Sequence, residues 1–317
     1  MTGGDARLAG RRVTVRVPAS SANLGPGFDT LGLALAVYDE LEVAVRDEPG
    51  ATVQVHGVGA GEVPTDSSNL VVRAIAHLFA DQGIPLPGLD LVARNVIPHG
   101  SGMGSSAAAI VGGLMAARGL LDGIVEIDGD ELLRLATELE GHPDNVAPAL
   151  FGGLTIAWTT PEGPRHKRLT VHRGVSLLVA VPDSLTVSTA LARSLQPESV
   201  PHSDAIFNVS RSALLIAALI QSPELLFAAT EDKLHQTYRA SAMPETSALI
   251  TALRAHGVAA VVSGAGPSVL VLCSDPAQRL EAAALIEQHA TTPWTTHMLA
   301  VDFKGATVVA HPAEAVA

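Results

Sequence analysis

Residues 98–109 read Pro-His-Gly-Ser-Gly-Met-Gly-Ser-Ser-Ala-Ala-Ala, and this stretch constrains the chain more than any other. Glycine at alternate positions, Gly100, Gly102 and Gly104, permits positive φ angles that turn successive N–H groups toward one point. Ser105 and Ser106 then stand where a helix cap is expected, ahead of Ala107, Ala108, Ala109 and Ile110. A helix beginning there aims the positive end of its dipole at the same point, and a phosphate group fits both features. The stretch is not a Walker A loop, which needs a lysine before its Ser/Thr. Nor is it a Rossmann fingerprint, because Ser105 stands three residues after Gly102. Without a lysine, much of the charge on a triphosphate falls to Mg²⁺ and the helix terminus, with the Ser106 hydroxyl near the metal. A glycine-rich turn entering a core helix would account for the same residues on structural grounds alone.

A chain of 317 residues, 47% apolar, is long enough for two domains with separate cores. Its formal net charge of −12, with Lys and Arg scattered, argues against a nucleic-acid partner. A phosphate-bearing or acidic ligand therefore needs a local basic pocket. Cys273 is the only cysteine, so an internal disulfide or multi-cysteine metal site is excluded and a cytoplasmic location is the default. No uncharged apolar run reaches membrane-spanning length, and residues 1–12 hold no apolar signal core, so no membrane partner is expected.

The periodicity predicts an α+β chain. Val13, Val15 and Val17 alternate with Thr14 and Arg16 in a strand over 12–18, and further strands are expected over 38–46, 52–56, 89–96, 154–158, 175–181, 258–262 and 269–273. Two more are expected near 297–303 and 307–310. Helices are predicted over 69–82, capped by Ser67 or Ser68, and over 105–121, 130–140, 203–220, 247–256 and 276–289. Three polar, turn-rich segments interrupt the pattern. Residues 19–29 read as a loop presenting Asn23 and Asp29, residues 142–148 as a rigid loop or a capped helix entry, and residues 263–268 as a small-residue turn between two strands. Pro, Gly and charges gather over 161–168, which makes that segment the candidate domain junction. Arg193 stands one turn from Thr189 on a helix, but Arg193, Arg211 and Arg239 read by themselves as solvated charges.

Three segments together resemble the GHMP kinase family, named for galacto-, homoserine, mevalonate and phosphomevalonate kinases. They are residues 18–29 (Pro-Ala-Ser-Ser-Ala-Asn-Leu-Gly-Pro-Gly-Phe-Asp), 98–107 and 263–268 (Ser-Gly-Ala-Gly-Pro-Ser), in the family's order across nearly the whole chain. The wording of the first, with His-Pro-Asp-Asn-Val-Ala-Pro at 142–148, is similar to the homoserine-phosphorylating branch. The resemblance implies a two-domain α+β fold. Residues 1–164 would form an ATP-binding domain like the second domain of ribosomal protein S5, and 165–317 a ferredoxin-like domain. It implies ATP over Pro98, His99, Gly100, Ser101, Gly102, Met103, Gly104, Ser105 and Ser106, with the adenine near Asn69. Mg²⁺ would sit at Glu140 and Ser106, with Glu138 as a rival because some relatives have extra residues before the His-Pro-Asp-Asn turn.

For the second substrate the resemblance implies L-homoserine, phosphorylated on its side-chain hydroxyl in threonine biosynthesis, and a homodimeric assembly. Arg193 and Arg239 would grip the carboxylate, a task suited to a planar guanidinium fork. Asn23, Asp29, His142 and Asn145 would surround the ammonium and hydroxyl ends, with Thr189 and Gly264 also on the substrate side. Several sister kinases carry an aspartate base where this chain has Asn145, whose amide takes no proton from an alcohol. A loose phosphoryl-transfer transition state depends mainly on alignment, so direct in-line attack with Asn145 orienting the hydroxyl is expected. Asp29 is the alternative base, and Asn23 is grouped with these two as catalytic. A kinase for another small alcohol such as mevalonate is disfavoured by Asn145 and the arginine pair. A non-catalytic nucleotide sensor is disfavoured by the retention of Glu140, Gly100, Gly102 and Gly104.

Overall fold

The computed structural model describes residues 7–185 and 189–311, apart from the side chains of 189 and 190. The first sheet is built from β1 (Arg12–Ala22), β2 (Leu31–Arg46), β3 (Ala51–Gly57), β4 (Gly88–Asn95), β5 (Leu154–Thr160), β6 (Gly163–Leu169) and β11 (Thr307–His311). Its order is β11-β1-β2-β4-β3, with β5 pairing the start of β2 and then β6. Only β3 and β4 run parallel, joined through α1 (Leu70–Asp81). Val13, Val15 and Val17 are buried while Arg12 and Arg16 are exposed, so the period-two pattern sets which face of β1 meets the core.

Two expectations for this part change. Strand β1 does not end at Pro18: after a register shift between Pro18 and Ala19 it continues to Ala22, paired with Leu35 back to Gly32. Ser20 and Ser21 look turn-forming in sequence, yet both are fully buried, because their hydroxyls find partners inside the fold. The cap of α1 is Asn69, whose Oδ1 accepts from the Val71 N–H at 3.0 Å, and not Ser67 or Ser68.

Helix α2 (Ser105–Leu120) is apolar around nearly its whole circumference and is correspondingly buried between α1, the sheet, α3 (Gly129–Glu140) and α4 (Pro143–Phe151). Gly141, at φ 93°, ends α3, and Pro143 at the first position of α4 restarts the helix, so the two meet at a corner. Helix α4 lies against β2 because Gly32 has no side chain: a Cβ there would collide with the Asp144 carbonyl and Pro148.

The second sheet has the order β10-β7-β9-β8, formed by β7 (Ser176–Pro182), β8 (Ala260–Val262), β9 (Val269–Cys273) and β10 (Trp294–Leu299), all antiparallel. With α9 (Pro244–Ala255) before β8 and α10 (Pro276–His289) between β9 and β10, it is the βαββαβ unit expected of a ferredoxin-like domain. Between β7 and α9 come α5 (Thr189–Ser194), α6 (His202–Ile220), α7 (Leu226–Ala229) and α8 (Gln236–Arg239). Cys273 lies buried in β9, where desolvation pushes its thiol up to about 12, in keeping with core filler.

The junction expected over 161–168 is the tip and outgoing strand of the β5–β6 hairpin, since Pro, Gly and charges mark a tight turn as readily as a linker. A division between residues 164 and 165 would cut β6, which belongs to the first sheet, and β11 returns to pair with β1. The chain thus changes sheet after Leu169 and comes back near its end. Among the described residues α6 is the one helix long and apolar enough to cross a membrane by length and composition. It is not uncharged: Asp204 and Arg211 pair with Lys233 and Glu231, and buried Asn208 donates to the Pro26 carbonyl in the loop between β1 and β2, which seats the helix against the first domain.

Candidate active site

The glycines of the 98–104 loop adopt the conformation their alternation predicts, with φ of 61° at Gly100, 85° at Gly102 and 70° at Gly104. Gly104 is itself the N-cap of α2, and Ser105 and Ser106 are the first helical residues, not its caps. With no side chain to bond them, the first N–H groups of a long helix face the cleft. Gly102 is also a packing requirement: a Cβ there would strike the Ser263 carbonyl.

Main-chain and serine bonds knit the three family segments together. The Ser20 N–H donates to the Met103 carbonyl and the Ser268 N–H to the Ser101 carbonyl, each at 3.1 Å. The Ser263 hydroxyl donates to the Gly102 carbonyl at 2.8 Å, and the Gly264 N–H to the Ala22 carbonyl at 3.1 Å. Asn23 uses both ends of its amide here: Nδ2 donates to the Gly264 carbonyl at 2.6 Å and Oδ1 accepts from the Asp29 N–H at 3.0 Å. Expected at the substrate, Asn23 lines the cleft but serves as a strut between two loops.

The α3–α4 corner supplies the next wall. The Ser106 hydroxyl donates to Glu140 Oε1 at 2.8 Å. Burial pushes the Glu140 carboxyl above its ordinary range, against the Ser106 hydrogen bond and the charge of His142, which pull it down. A desolvated carboxylate beside a hydroxyl is an oxygen pair that suits a hard cation. Among the described residues no group of three or more His, Cys, Asp or Glu gathers to hold a metal, so any ion here needs oxygens from its ligand as well. Glu138 points elsewhere, to Arg134 at 2.7 Å and His77 at 3.0 Å on the outer surface. His142 Nδ1 bonds Asp144 Oδ1 at 2.5 Å. Burial alone would lower the ring's pKa, but the bond and charge of Asp144, itself only 1% exposed, outweigh it and raise it. Asn145 accepts from the Ser20 hydroxyl at 3.1 Å through Oδ1, which leaves its NH₂ as the free donor.

Opposite stand the arginines. Arg239 is 2% exposed and its NH1 has no partner. Its guanidinium lies 4.9 Å over the Phe28 ring, which stacks on His235 at 5.0 Å. With the Gln196 amide turned so that both ends are satisfied, Gln196 accepts from Arg239 Nε at 2.9 Å and donates to the Leu234 carbonyl at 3.0 Å. Burial lowers the pKa of Arg239. A desolvated cation with an open nitrogen calls for an anion. Arg193, by contrast, is already bound: NH2 and NH1 donate to the two oxygens of Asp29 at 2.8 and 3.0 Å.

A cleft of about 260 Å³ brings together Asn23, Asp29, Gly100, Ser101, Gly102, Gly104, Ser105, Ser106, Glu140, His142, Asn145, Arg193, Arg239 and Gly264. Asn69 and His99 line an adjoining recess of about 220 Å³, walled by Val17, Leu41, Val55, Val63 and Ala93, which shares Ser105 and Ser106 with the cleft. Met103 is buried in the core and Pro98 accepts from the Ser101 hydroxyl, so these two shape the loop from behind. Thr189 opens α5, and its side chain lies outside the described residues. Sequence reasoning gave no role to Asp144, Ala265 or Gly266, which also line the cleft, or to Gln196, which steadies Arg239. Asp144, Ala265 and Gly266 have a local signal, since all three sit inside family-like motifs. Gln196 has none.

Comparison with known proteins agrees with this geometry. Residues 69–153 match the GHMP kinases N terminal domain and residues 215–289 the GHMP kinases C terminal region. The homoserine kinase of Clavibacter michiganensis subsp. michiganensis is 75% identical over 303 residues, covering 96% of each chain. That of Streptomyces coelicolor is 48% identical over 94% of each. In three dimensions the homoserine kinase of Cytophaga hutchinsonii superposes with a TM-score of 0.81 at 27% identity, over 94% of this chain and 97% of that one. The mevalonate kinase of L. major, at 16% identity and a TM-score of 0.67 over 90% and 94%, shares the fold. The two domains, their three interlocked motifs and the extent of these matches make the chain a member of the GHMP kinase family, among the homoserine kinases.

Proposed function

We propose that homoserine lies between Arg239 and Asn145 with its side-chain hydroxyl in line with the γ-phosphate of ATP, and that Mg²⁺ is held by Ser106 and Glu140. The activity itself comes with the family: the chain uses ATP to phosphorylate homoserine, a step of threonine biosynthesis. One observation carries the arrangement. The unpartnered, buried NH1 of Arg239 shares a single cleft with the open N-terminus of α2, so an anionic amino acid and a polyphosphate can be held side by side.

In this reading the N–H groups of the 100–104 loop and of Ser105 and Ser106 hold the phosphates, and the apolar recess beside Asn69 and His99 takes the adenine. Asn69 shapes that recess as a helix cap, with both ends of its amide bonded within the protein. Bound at Ser106 and Glu140, Mg²⁺ would neutralise charge on the β- and γ-phosphates. Arg239 binds the homoserine carboxylate, Asp29 accepts from its ammonium group, and the Asn145 NH₂ donates to its hydroxyl oxygen. The new O–P bond forms as the bond to the ADP oxygen breaks, and the hydroxyl proton leaves late, to water or to an oxygen of the transferred phosphoryl group, without a dedicated base. With its oxygens taken by Arg193 in the free chain and by the ammonium group of the bound substrate, Asp29 is not available as that base. His142, held by Asp144, whose bond and charge raise the ring's pKa, stands in the same wall as Glu140.

A homodimer in the cytoplasm completes the proposal. On α6, Ile206, Val209, Ala213 and Ile220 are exposed along one side at helical spacing, a surface two copies could share. The decisive assay is ADP release with Mg²⁺ and a panel of homoserine, threonine, serine and mevalonate. Homoserine should turn over at least about tenfold better than the rest by kcat/KM, and equal turnover of mevalonate would overturn the reading.

A further inference from the structure

We infer that Asp29 and Arg193 mask each other in the free enzyme, and that only a ligand bearing both an ammonium and a carboxylate group unmasks them, so that the pair enforces amino-acid specificity. This rests on the placement of homoserine proposed above and goes beyond it, because it assigns the two arginines different tasks. Arg239 is preformed: buried, stacked on Phe28, steadied by Gln196 and open at NH1. Arg193 is closed, with its two terminal nitrogens on the two oxygens of Asp29 at 3.0 and 2.8 Å.

The pair is positioned to open. Its side chains are 38% and 37% exposed in the cleft, where water screens them, so separating them costs little provided each charge finds a new partner. Asp29 is fixed from behind, at φ 52° with its N–H on Asn23, and the mobile partner is the long Arg193 side chain on the short helix α5. Asp29 and Arg193 both lie close enough to Arg239 to act on its charge, in opposite senses. A ligand with only a carboxylate would draw Arg193 away and strand Asp29 in a cleft that already holds Glu140 and Asp144. One with only an ammonium group would take Asp29 and strand Arg193 beside Arg239. A zwitterion satisfies both at once, exchanging one internal ion pair for two with the ligand.

Masking predicts gains of binding for ligands that carry only one of the two charges. The test is calorimetric titration of the full chain, with a non-hydrolysable ATP analogue present, using L-homoserine, γ-hydroxybutyrate (homoserine without its ammonium group) and n-propanolamine (homoserine without its carboxylate). In Asp29→Asn, homoserine should bind about tenfold more weakly while γ-hydroxybutyrate binds about tenfold more tightly than it does to the wild type, because Arg193 has been released. In Arg193→Gln, n-propanolamine should gain by a similar factor. Both positions are half-exposed, and unchanged binding of the ATP analogue shows that a variant is folded. Absence of any gain in both variants overturns the masking. Arg239→Ala separates the two claims: it should weaken homoserine and γ-hydroxybutyrate alike, and if it weakens neither, the placement of homoserine is what fails.

Discussion

The wall of the cleft proposed to hold phosphate is made of main chain, and the wall proposed to hold the amino acid is made of side chains carried in from distant segments. On the first side, conformation does the work: three positive-φ glycines and a helix start leave N–H groups pointing at one place, and the serines around them bond the loops to one another. On the second, Arg239, Arg193, Asp29 and Asn145 come from four separate elements and depend on struts such as Asn23, Gln196 and the Ser20 hydroxyl. In the proposed arrangement the first wall would accept any ligand with a polyphosphate tail and the second would select the amino acid, so substitutions on the two sides should separate in kinetics.

The largest effect is expected at Glu140. Glu140→Gln keeps the Ser106 bond but removes the charge that would hold the metal, so kcat should fall on the order of 10²–10³-fold. The KM for homoserine should hardly move. Turnover near the wild-type value would show that the metal lies elsewhere, and the comparison of the two walls would lose its phosphate half.

Next comes Arg239→Ala, which removes a buried guanidinium with an open nitrogen. The KM for homoserine should rise on the order of a hundredfold with the KM for ATP unchanged, as measured by varying each substrate at saturation of the other. The reverse pattern would exchange the roles of the two walls.

This division also explains what could be read from the sequence. The conformation of the 98–104 loop is legible because a glycine that adopts positive φ is recorded in the residue itself, three times within five positions. Strands β7, β8 and β9 are legible from their apolar runs, while their ferredoxin-like arrangement comes only through family resemblance. The amino-acid side was visible only through family resemblance, since nothing local separates Arg239, 2% exposed, from a solvated arginine. The 161–168 hairpin resembles a junction in sequence because turn residues do not reveal whether the chain beyond them pairs back or moves to another domain. Ser20 and Ser21 look like loop in sequence because their polarity is answered only by residues far along the chain, Asn145 and Ser263. Each miss is a case in which long-range pairing decides what local composition leaves open.

A smaller effect tests the boundary between the walls. Asn145 has its oxygen on the Ser20 hydroxyl, which leaves its NH₂ free for the hydroxyl of the proposed substrate. Asn145→Ala should lower kcat about tenfold, the worth of one orienting hydrogen bond, with binding of both substrates close to wild type. Asn145→Asp would place a carboxylate there, and a rise in turnover would show that a base is wanted after all.

The smallest effect is expected at Glu138, the rival metal ligand. It lies two residues from Glu140 on α3, but its carboxylate is turned to Arg134 and His77 on the outer face and is 45% exposed. Glu138→Gln should leave kcat and both KM values unchanged. Stability should fall by less than about 1 kcal/mol, because solvent-screened pairs contribute little. Denaturant titration beside the kinetic assay reads both quantities. A kinetic loss approaching that of Glu140→Gln would mean that the end of α3 turns its other face to the metal when ATP binds, and the phosphate wall would then be assembled by the ligand instead of standing ready for it.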